Sequence, residues 1–434
     1  MRCMKHFVVA ALIATATMGG LLANGTKEGA SSASAGKQTT LNWAVWDINS
    51  TAYYKPIIDA YEAKNPNVKI NMVDLGSADF MTALQTQLAS GSSEFDVVTI
   101  KDIPGYNNLV KKNMVVNLND YIKKDGVDTN LYGGTAEQIS VDGKLYALPF
   151  RSDFWVIFYN KALFDKAGVP YPTNDMTFEQ YDALARKMTS GNGANKVYGA
   201  HYHTWRSTVQ LFGILDGKHV ITQPPYDYLK PYYEMVLSEQ KDGICQNYAT
   251  LKASSLHYSG QFQNGTVAMM NMGSWYIATL IQKIKNGEAD AAKEWGIVKY
   301  PHAQGVAPGT TLGTITSLSI SQGSKQKDAA WDFVKFVTSP ECAAVIAKTG
   351  TIPAIMSDKV VDEISSMDGF PADANSKDAL HVAKAYLEMP LHDKAGQIET
   401  VLNQYHDAII TGNISVDDGL KKMAEDVRKV LGQN

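Results

Sequence analysis

From Thr39 onward the chain alternates short runs of period-two apolar positions with longer runs at helical spacing. Thr40–Trp46 (TLNWAVW) alternates as a strand, and Tyr54, Ile57, Ile58 and Tyr61 then fall on one face of a helix that Asn65-Pro66 ends. Val68–Val73 reads as a second strand. Phe80, Leu84 and Leu88 mark a second helix stopping at Gly91, and Asp96–Ile100 (DVVTI) is a short buried strand. This β-α-β-α-β order predicts a largely parallel sheet with helices on both faces, an α/β fold.

Tyr146–Asn160 (YALPFRSDFWVIFYN) is a long extended apolar stretch with a proline and two charges in its middle, long enough to pass between two lobes. Helices follow from Leu163 to Met188, and Thr177 with Gln180 forms a capping-box pattern. Trp295–Pro301 is another short strand and looks like a second crossing. Thr311–Ser321 alternates as a strand, and Ala329, Phe333, Phe336 and Val337 give an amphipathic helix ended by Pro340. After Gly350–Pro353 the pattern is helical to about Gly432, and there is no internal repeat or sustained heptad. With 434 residues, one core would be unusually large, so two lobes are expected.

The N-terminus changes the setting. Arg2 and Lys5 precede an uncharged apolar stretch from Phe7 to Ala23, which predicts a secretory signal peptide over 1–23. The stretch is short and broken by Thr15, Thr17, Gly19 and Gly20, unlike a spanning helix. Asn24 stands where a lipoprotein would need cysteine, so no lipid anchor is expected, and 24–38 reads as a flexible, Ser/Ala/Gly-rich leader. The formal charge of −4 becomes −6 once Arg2 and Lys5 are lost, and the spread of charges argues against a nucleic-acid partner. Cys245 and Cys342 remain, with no metal-type spacing, and are expected as two buried thiols, one disulfide between them being the alternative.

Five passages resemble the extracellular solute-binding proteins of ATP-driven sugar importers, the maltodextrin-binding type of family. They are WAVW from Trp43, FDVVTIKD from Phe95 to Asp102, LPFRSDFWVIFYNKALFDKAGVPYP from Leu148 to Pro172, GTVAMMNMGSW from Gly265 to Trp275, and SLSISQGSKQKDAAWDFVKFVTSPE from Ser317 to Glu341. The resemblance spans about residues 40–430 and implies a two-lobed periplasmic-binding-protein-like fold, with a ligand cleft and crossings near Phe150, Lys299 and Thr351. The lobes are then expected at 39–150 with 300–350, and at 151–299 with 351–434. It also implies a carbohydrate ligand, mono- or oligosaccharide, delivered to the membrane permease of an ABC transporter by a monomeric protein in the periplasm or outside the cell.

A sugar offers apolar C–H faces and a belt of hydroxyls, so its site needs aromatic plates beside groups that donate and accept hydrogen bonds. Trp46-Asp47 and Asp102 follow strands at their carboxyl ends, where ligands sit in open α/β sheets; otherwise Trp46 caps the core, Asp47 a helix, and Asp102 pairs with Lys101. Arg151 and Asp153 would be costly inside an apolar crossing unless they satisfy each other or a ligand. In HYHTWR, Trp205 and Arg206 suit a stacking plate and a hydroxyl-binding fork, or plain packing. His201 and His203 invite a metal reading, but nothing nearby completes a ligand set, so neither metal nor cofactor is expected. Ser274 and Trp275 in GSWY give the sharpest aromatic signal, placed at the cleft by the resemblance. Gly313, Thr314 and Thr316 read as a small-residue loop offering N–H groups and hydroxyls, or as a β-turn.

A secreted glycoside hydrolase is the rival from another class, since it too sets carboxylates and tryptophans in a cleft. Asp47, Asp102 and Asp153 sit beside Lys or Arg, which would lower their pKa rather than raise one for acid catalysis, and no nucleophile, zinc or phosphate-loop motif appears. A binding protein and not an enzyme is therefore expected. A sensor-docking receptor module is a further alternative that the same lobes would serve.

Overall fold

The computed structural model describes residues 38–49, 51–76, 80–90, 94–254 and 257–433. The expected signal peptide over 1–23, the leader up to residue 37 and the helix stop at Gly91 lie outside the described residues.

Among the described residues nine strands carry the fold: β1 (Thr39–Val45), β2 (Val68–Asp74), β3 (Val97–Ile100), β4 (Leu148–Asn160), β5 (Tyr198–His201), β6 (Val267–Gly273), β7 (Trp295–Lys299), β8 (Thr310–Ile320) and β9 (Lys384–Leu387). The order is β2-β1-β3-β8-β4-β6-β5, with β7 against β4 and β9 against β8. The first three strands are parallel, as the sequence predicts, because helices Tyr54–Lys64 and Phe80–Ala89 carry the chain back each time. β8 runs antiparallel to β3 and β4, and β4 antiparallel to β6 and β7, while β9 lies parallel to β8, so the sheet is mixed rather than largely parallel.

β1 shows why its sequence makes a doubly covered strand. Leu41, Trp43 and Val45 face one core and Ala44 and Trp46 the other, a period-two split of an almost wholly apolar run. β4 repeats the device beyond the crossing: Trp155, Ile157 and Tyr159 enter one core, Phe154, Val156 and Phe158 another. Leu148 and Phe150, at the start of the same strand, pack in the β1 core. One 13-residue strand therefore belongs to both halves of the protein.

β8 is the second shared strand. Its Leu312 packs in the core of the second half, while Leu318 and Ile320 pack with Trp43 in the first. The second passage thus runs along β8 and not at Lys299, because Tyr300 is still buried in the second half and Thr310–Gly313 pairs with β9. A third passage follows helix Pro340–Ala347: Ile346 lies in the first half, Ile352 in the second, Ala354 and Ile355 in the first again, and Val360 in the second. This is the two-lobed α/β architecture with three crossings.

Three local expectations need correction. Residues 313–316 form part of β8 rather than a loop. The stretch after Gly350 contains β9 among its helices. Pro340 ends one helix and also opens the next, at its first turn, where its missing N–H costs nothing. The capping box at Thr177 and Gln180 forms with both reciprocal bonds. Cys245 and Cys342 are buried, free, and in different cores.

Candidate functional site

The two halves enclose a cleft of about 410 Å³, within the range typical of small-molecule sites. The first half contributes Lys101–Pro104 and Thr314; the second contributes Trp155, Thr204–Ser207, Trp275, Glu388, Glu399 and Asn403.

Asp102 is set by the helix it caps. Its carboxylate accepts from the Gly105 N–H at 2.6 Å at the start of helix Ile103–Lys111. A Cβ on Gly105 would lie 2.5 Å from Met81 Cε and 2.9 Å from the Asp102 carboxylate, so glycine keeps that turn closed. The carboxyl is raised above the ordinary aspartate range, by loss of surrounding water in the crevice first, with Glu399 adding to it and Lys101 opposing. The expectation that a basic neighbour lowers Asp102 is therefore corrected: desolvation outweighs Lys101.

Three indoles form the apolar wall. Trp155 and Trp275 meet edge to face with centroids 5.6 Å apart, and Trp205 lies 6.3 Å from Trp275. Gly273 stands opposite Trp155 in the β4–β6 ladder, and a Cβ there would be 2.0 Å from the Trp275 ring. Only glycine lets that indole fold back over the strand end. Trp205 is 38% exposed, rests edge-on against His203, and its carbonyl accepts from Thr208 Oγ1 at 2.8 Å. Asn271 in β6 binds the Thr208 carbonyl at 3.0 Å, which ties this loop to the sheet.

Arg206 is 5% exposed. Its Nη2 donates to Glu399 at 3.0 Å, while Nε and Nη1 have no hydrogen-bond partner among the described residues, nor does Nε1 of buried Trp155. Gln210 binds the Leu402 carbonyl at 3.1 Å, and so holds the Arg206 segment against helix Ala395–Ile410, which carries Glu399 and Asn403. Glu388 is raised as well, by burial first, with Arg206 and Ser207 opposing and Glu399 reinforcing. Buried donors without partners are costly, and in a cleft they mark where a polar ligand binds.

Of the residues singled out from sequence, Asp102, Trp205, Arg206, Trp275, Gly313 and Thr314 line this cavity together. Trp46, Asp47, Arg151, Asp153, Ser274 and Thr316 do not. Trp46 is packed on Phe80 and supports Lys101, whose ammonium lies 5.2 Å from its ring; Asp47 adds attraction to the same lysine. Asp153 is 1% exposed, paired with Arg151 and accepting from Ser274 Oγ at 2.9 Å, so all three are spent on one another. Thr316 is buried opposite Arg151 in the β4–β8 ladder, one step past the cavity end at Ile315. Sequence reasoning missed Trp155, Lys101, Glu388, Glu399 and Asn403 as lining residues. Among the described residues no group of three His, Cys, Asp or Glu is placed to hold a metal ion.

Beside the cleft the halves touch directly. Asn107 donates to the His392 carbonyl at 3.2 Å, and Lys111 lies 3.0 Å from the Asp393 carboxylate.

Two α/β halves joined by shared strands, with an indole-walled cleft between them, define a two-lobed solute-binding protein. Residues 46–344 match the bacterial extracellular solute-binding protein family, and the chain belongs to that family. Similar solved structures include an open-conformation sugar transporter from Rhizobium etli, 55% identical, with a TM-score of 0.83 over 90% of this chain and 99% of that one. Similar curated relatives include the lactose-binding protein of Rhizobium radiobacter, 23% identical over 85% of this chain and 84% of the relative. The sn-glycerol-3-phosphate-binding periplasmic protein of Rhizobium meliloti is 21% identical over 85% of this chain and 81% of the relative. Among the described residues no helix is long and apolar enough to cross a membrane.

Proposed function

We propose that this chain captures a carbohydrate in the cleft and delivers it, unaltered, to an ABC transporter permease. The observation that carries the reading is the pairing of three indoles with buried donors of Arg206 and Trp155 that have no partner among the described residues, around one cavity. Flat apolar faces next to orienting hydrogen-bond donors and acceptors fit a sugar ring better than an amino acid or a metal ion. The names of the sugar-transporting relatives support it.

The ligand contacts in this reading are Asp102, Trp205, Arg206 and Trp275, joined by Lys101, Trp155, Glu388, Glu399 and Asn403. Trp46, Asp47, Arg151, Asp153, Ser274 and Thr316 hold them in place. One lobe comprises residues 39–150 and about 314–350, the other 151 to about 313 and 351–434. The open form binds through one lobe, the ligand bridges both, and the closed state engages the permease, a population shift driven by the ligand's extra contacts in the closed form. The protein acts as a monomer, without cofactor, outside the cytoplasm after removal of residues 1–23.

A thermal-shift panel of mono- and oligosaccharides tests the reading, since ligand at 100 times its dissociation constant adds about 2.7 kcal/mol. Scattering with the best binder should give a smaller radius, and chromatography should return the sugar uncleaved. If another solute class raises the melting temperature and no sugar does, the carbohydrate reading fails; a cleaved sugar would favour the hydrolase.

A further inference from the structure

The cavity lining combines Asp102, Glu388 and Glu399 with two cations, Lys101 and Arg206. From this arrangement we infer that the cleft selects saccharides without an anionic group, and that Glu388 and Glu399 refuse sugar acids and sugar phosphates. The inference rests on the carbohydrate reading and specifies its ligand class.

Arg206 is already engaged by a carboxylate, and Lys101 lies in the field of two. Arg206 holds Glu399 at 3.0 Å and lies in the field of Glu388, while Lys101 sits against the Trp46 face between the charges of Asp47 and Asp102. An entering carboxylate or phosphate would have to compete with these acids for Arg206, and doing so would strand Glu399 partly buried and unpaired. The two donors that Arg206 leaves unpartnered, Nε and Nη1, are buried and require acceptors, and sugar hydroxyl oxygens supply them with no added charge.

The acids also oppose one another across the cleft. Glu399, from the second half, raises both Asp102 of the first half and its own neighbour Glu388. A ligand rich in O–H donors relieves the repulsion among these acceptors. An anion adds a fourth negative charge to it. An ammonium-bearing sugar reduces it, so a 2-amino sugar should bind at least as well as its neutral parent.

The test is calorimetry at pH 7. Glucose, galactose, mannose, maltose and lactose are screened first; the best binder is then compared with its uronate, phosphate and 2-amino counterparts, using wild type, Glu388→Gln and Glu399→Gln. The uronate and phosphate should bind at least tenfold more weakly than the parent. Glu399→Gln, which frees the Arg206 charge, should narrow that gap, as should Glu388→Gln. Circular dichroism and melting curves confirm that the variants fold. An anionic analogue binding as tightly as its parent overturns the inference while leaving the carbohydrate reading intact, and so does a gap unchanged in both folded variants. Failure of every neutral, cationic and anionic sugar to bind overturns both.

Discussion

Arg151 and Asp153, two residues apart on β4, share an ion pair of 2.6 Å, and each also holds a different half of the protein. Arg151 Nη1 donates to Tyr53 Oη at 2.9 Å in the first half, while Asp153 accepts from Ser274 Oγ at the end of β6 in the second. The pair links the halves through the strand they share. Asp153→Ala leaves a buried guanidinium without its counter-charge and removes the Ser274 acceptor. Urea unfolding should show a loss of about 3 to 5 kcal/mol. Replacing both charges by apolar residues of similar volume should recover much of it, because breaking a buried pair costs more than lacking one. Equal losses for the single and double variants would show that the pair is not the source.

Gly273 determines where Trp275 sits. A methyl group there meets the indole at 2.0 Å, backed by a strand that pairs residue for residue with β4, so the ring must give way. Gly273→Ala should weaken sugar binding about as much as Trp275→Ala, roughly 2 kcal/mol or 30-fold in Kd. The change should appear in the tryptophan fluorescence of the unliganded protein. Unaltered affinity would mean that the indole is not a contact.

Lys111 and Asp393 join the two halves on the surface, with side chains 44% and 71% exposed. Such a pair is worth at most about 1 kcal/mol and is screened by salt. Lys111→Ala should shift the lobes toward the open form, enlarge the scattering radius and weaken ligand binding by up to about fivefold at low ionic strength. The difference should vanish near 1 M salt. A difference independent of salt would assign the effect to packing of the lysine stem.

What the sequence made legible follows from local pattern. Short extended apolar runs marked six of the nine strands among the described residues, β1, β2, β3, β4, β7 and β8; β5 and β6 were not read as strands, and β9, with Lys384 and Ala385 in four residues, offered too little. The carboxyl ends of strands directed attention to Asp102, and GSWY to Trp275, because both signals sit within a few residues. Glu399 and Asn403 occupy ordinary polar positions on helix Ala395–Ile410, indistinguishable from a solvated face until tertiary packing brings Arg206 against them. Trp155 looked like one more core residue of β4, and it is buried, yet it lines the cleft. The charges that stood out most in the sequence, Arg151 and Asp153, satisfy each other for the reason that made them conspicuous: an apolar strand cannot leave them unpaired.

His406 is buried on helix Ala395–Ile410, with Nδ1 3.0 Å from Tyr233 Oη and Nε2 without a partner among the described residues. Burial holds its pKa down at about 3, and His201 and His203 are lowered to about 4 and about 3 for the same reason. All three are therefore neutral in the folded protein at pH 5, whereas an unfolded chain begins to protonate them below about 6.5. In that window the unfolded state binds more protons, so stability rises with pH and falls on acidification from about 6.5 toward 4. Each histidine contributes a slope of up to about 1.4 kcal/mol per pH unit. The raised acids Asp102 and Glu388 act with the opposite sign, since their folded forms take up protons first. His406→Gln keeps a polar group near Tyr233 and removes one of the three protons. Its urea midpoint should fall less steeply than wild type between pH 6.5 and 4, with the two proteins separated most at neutral pH, where the native histidine retains its packing. Parallel curves across that range would show that His406 does not titrate differently in the two states.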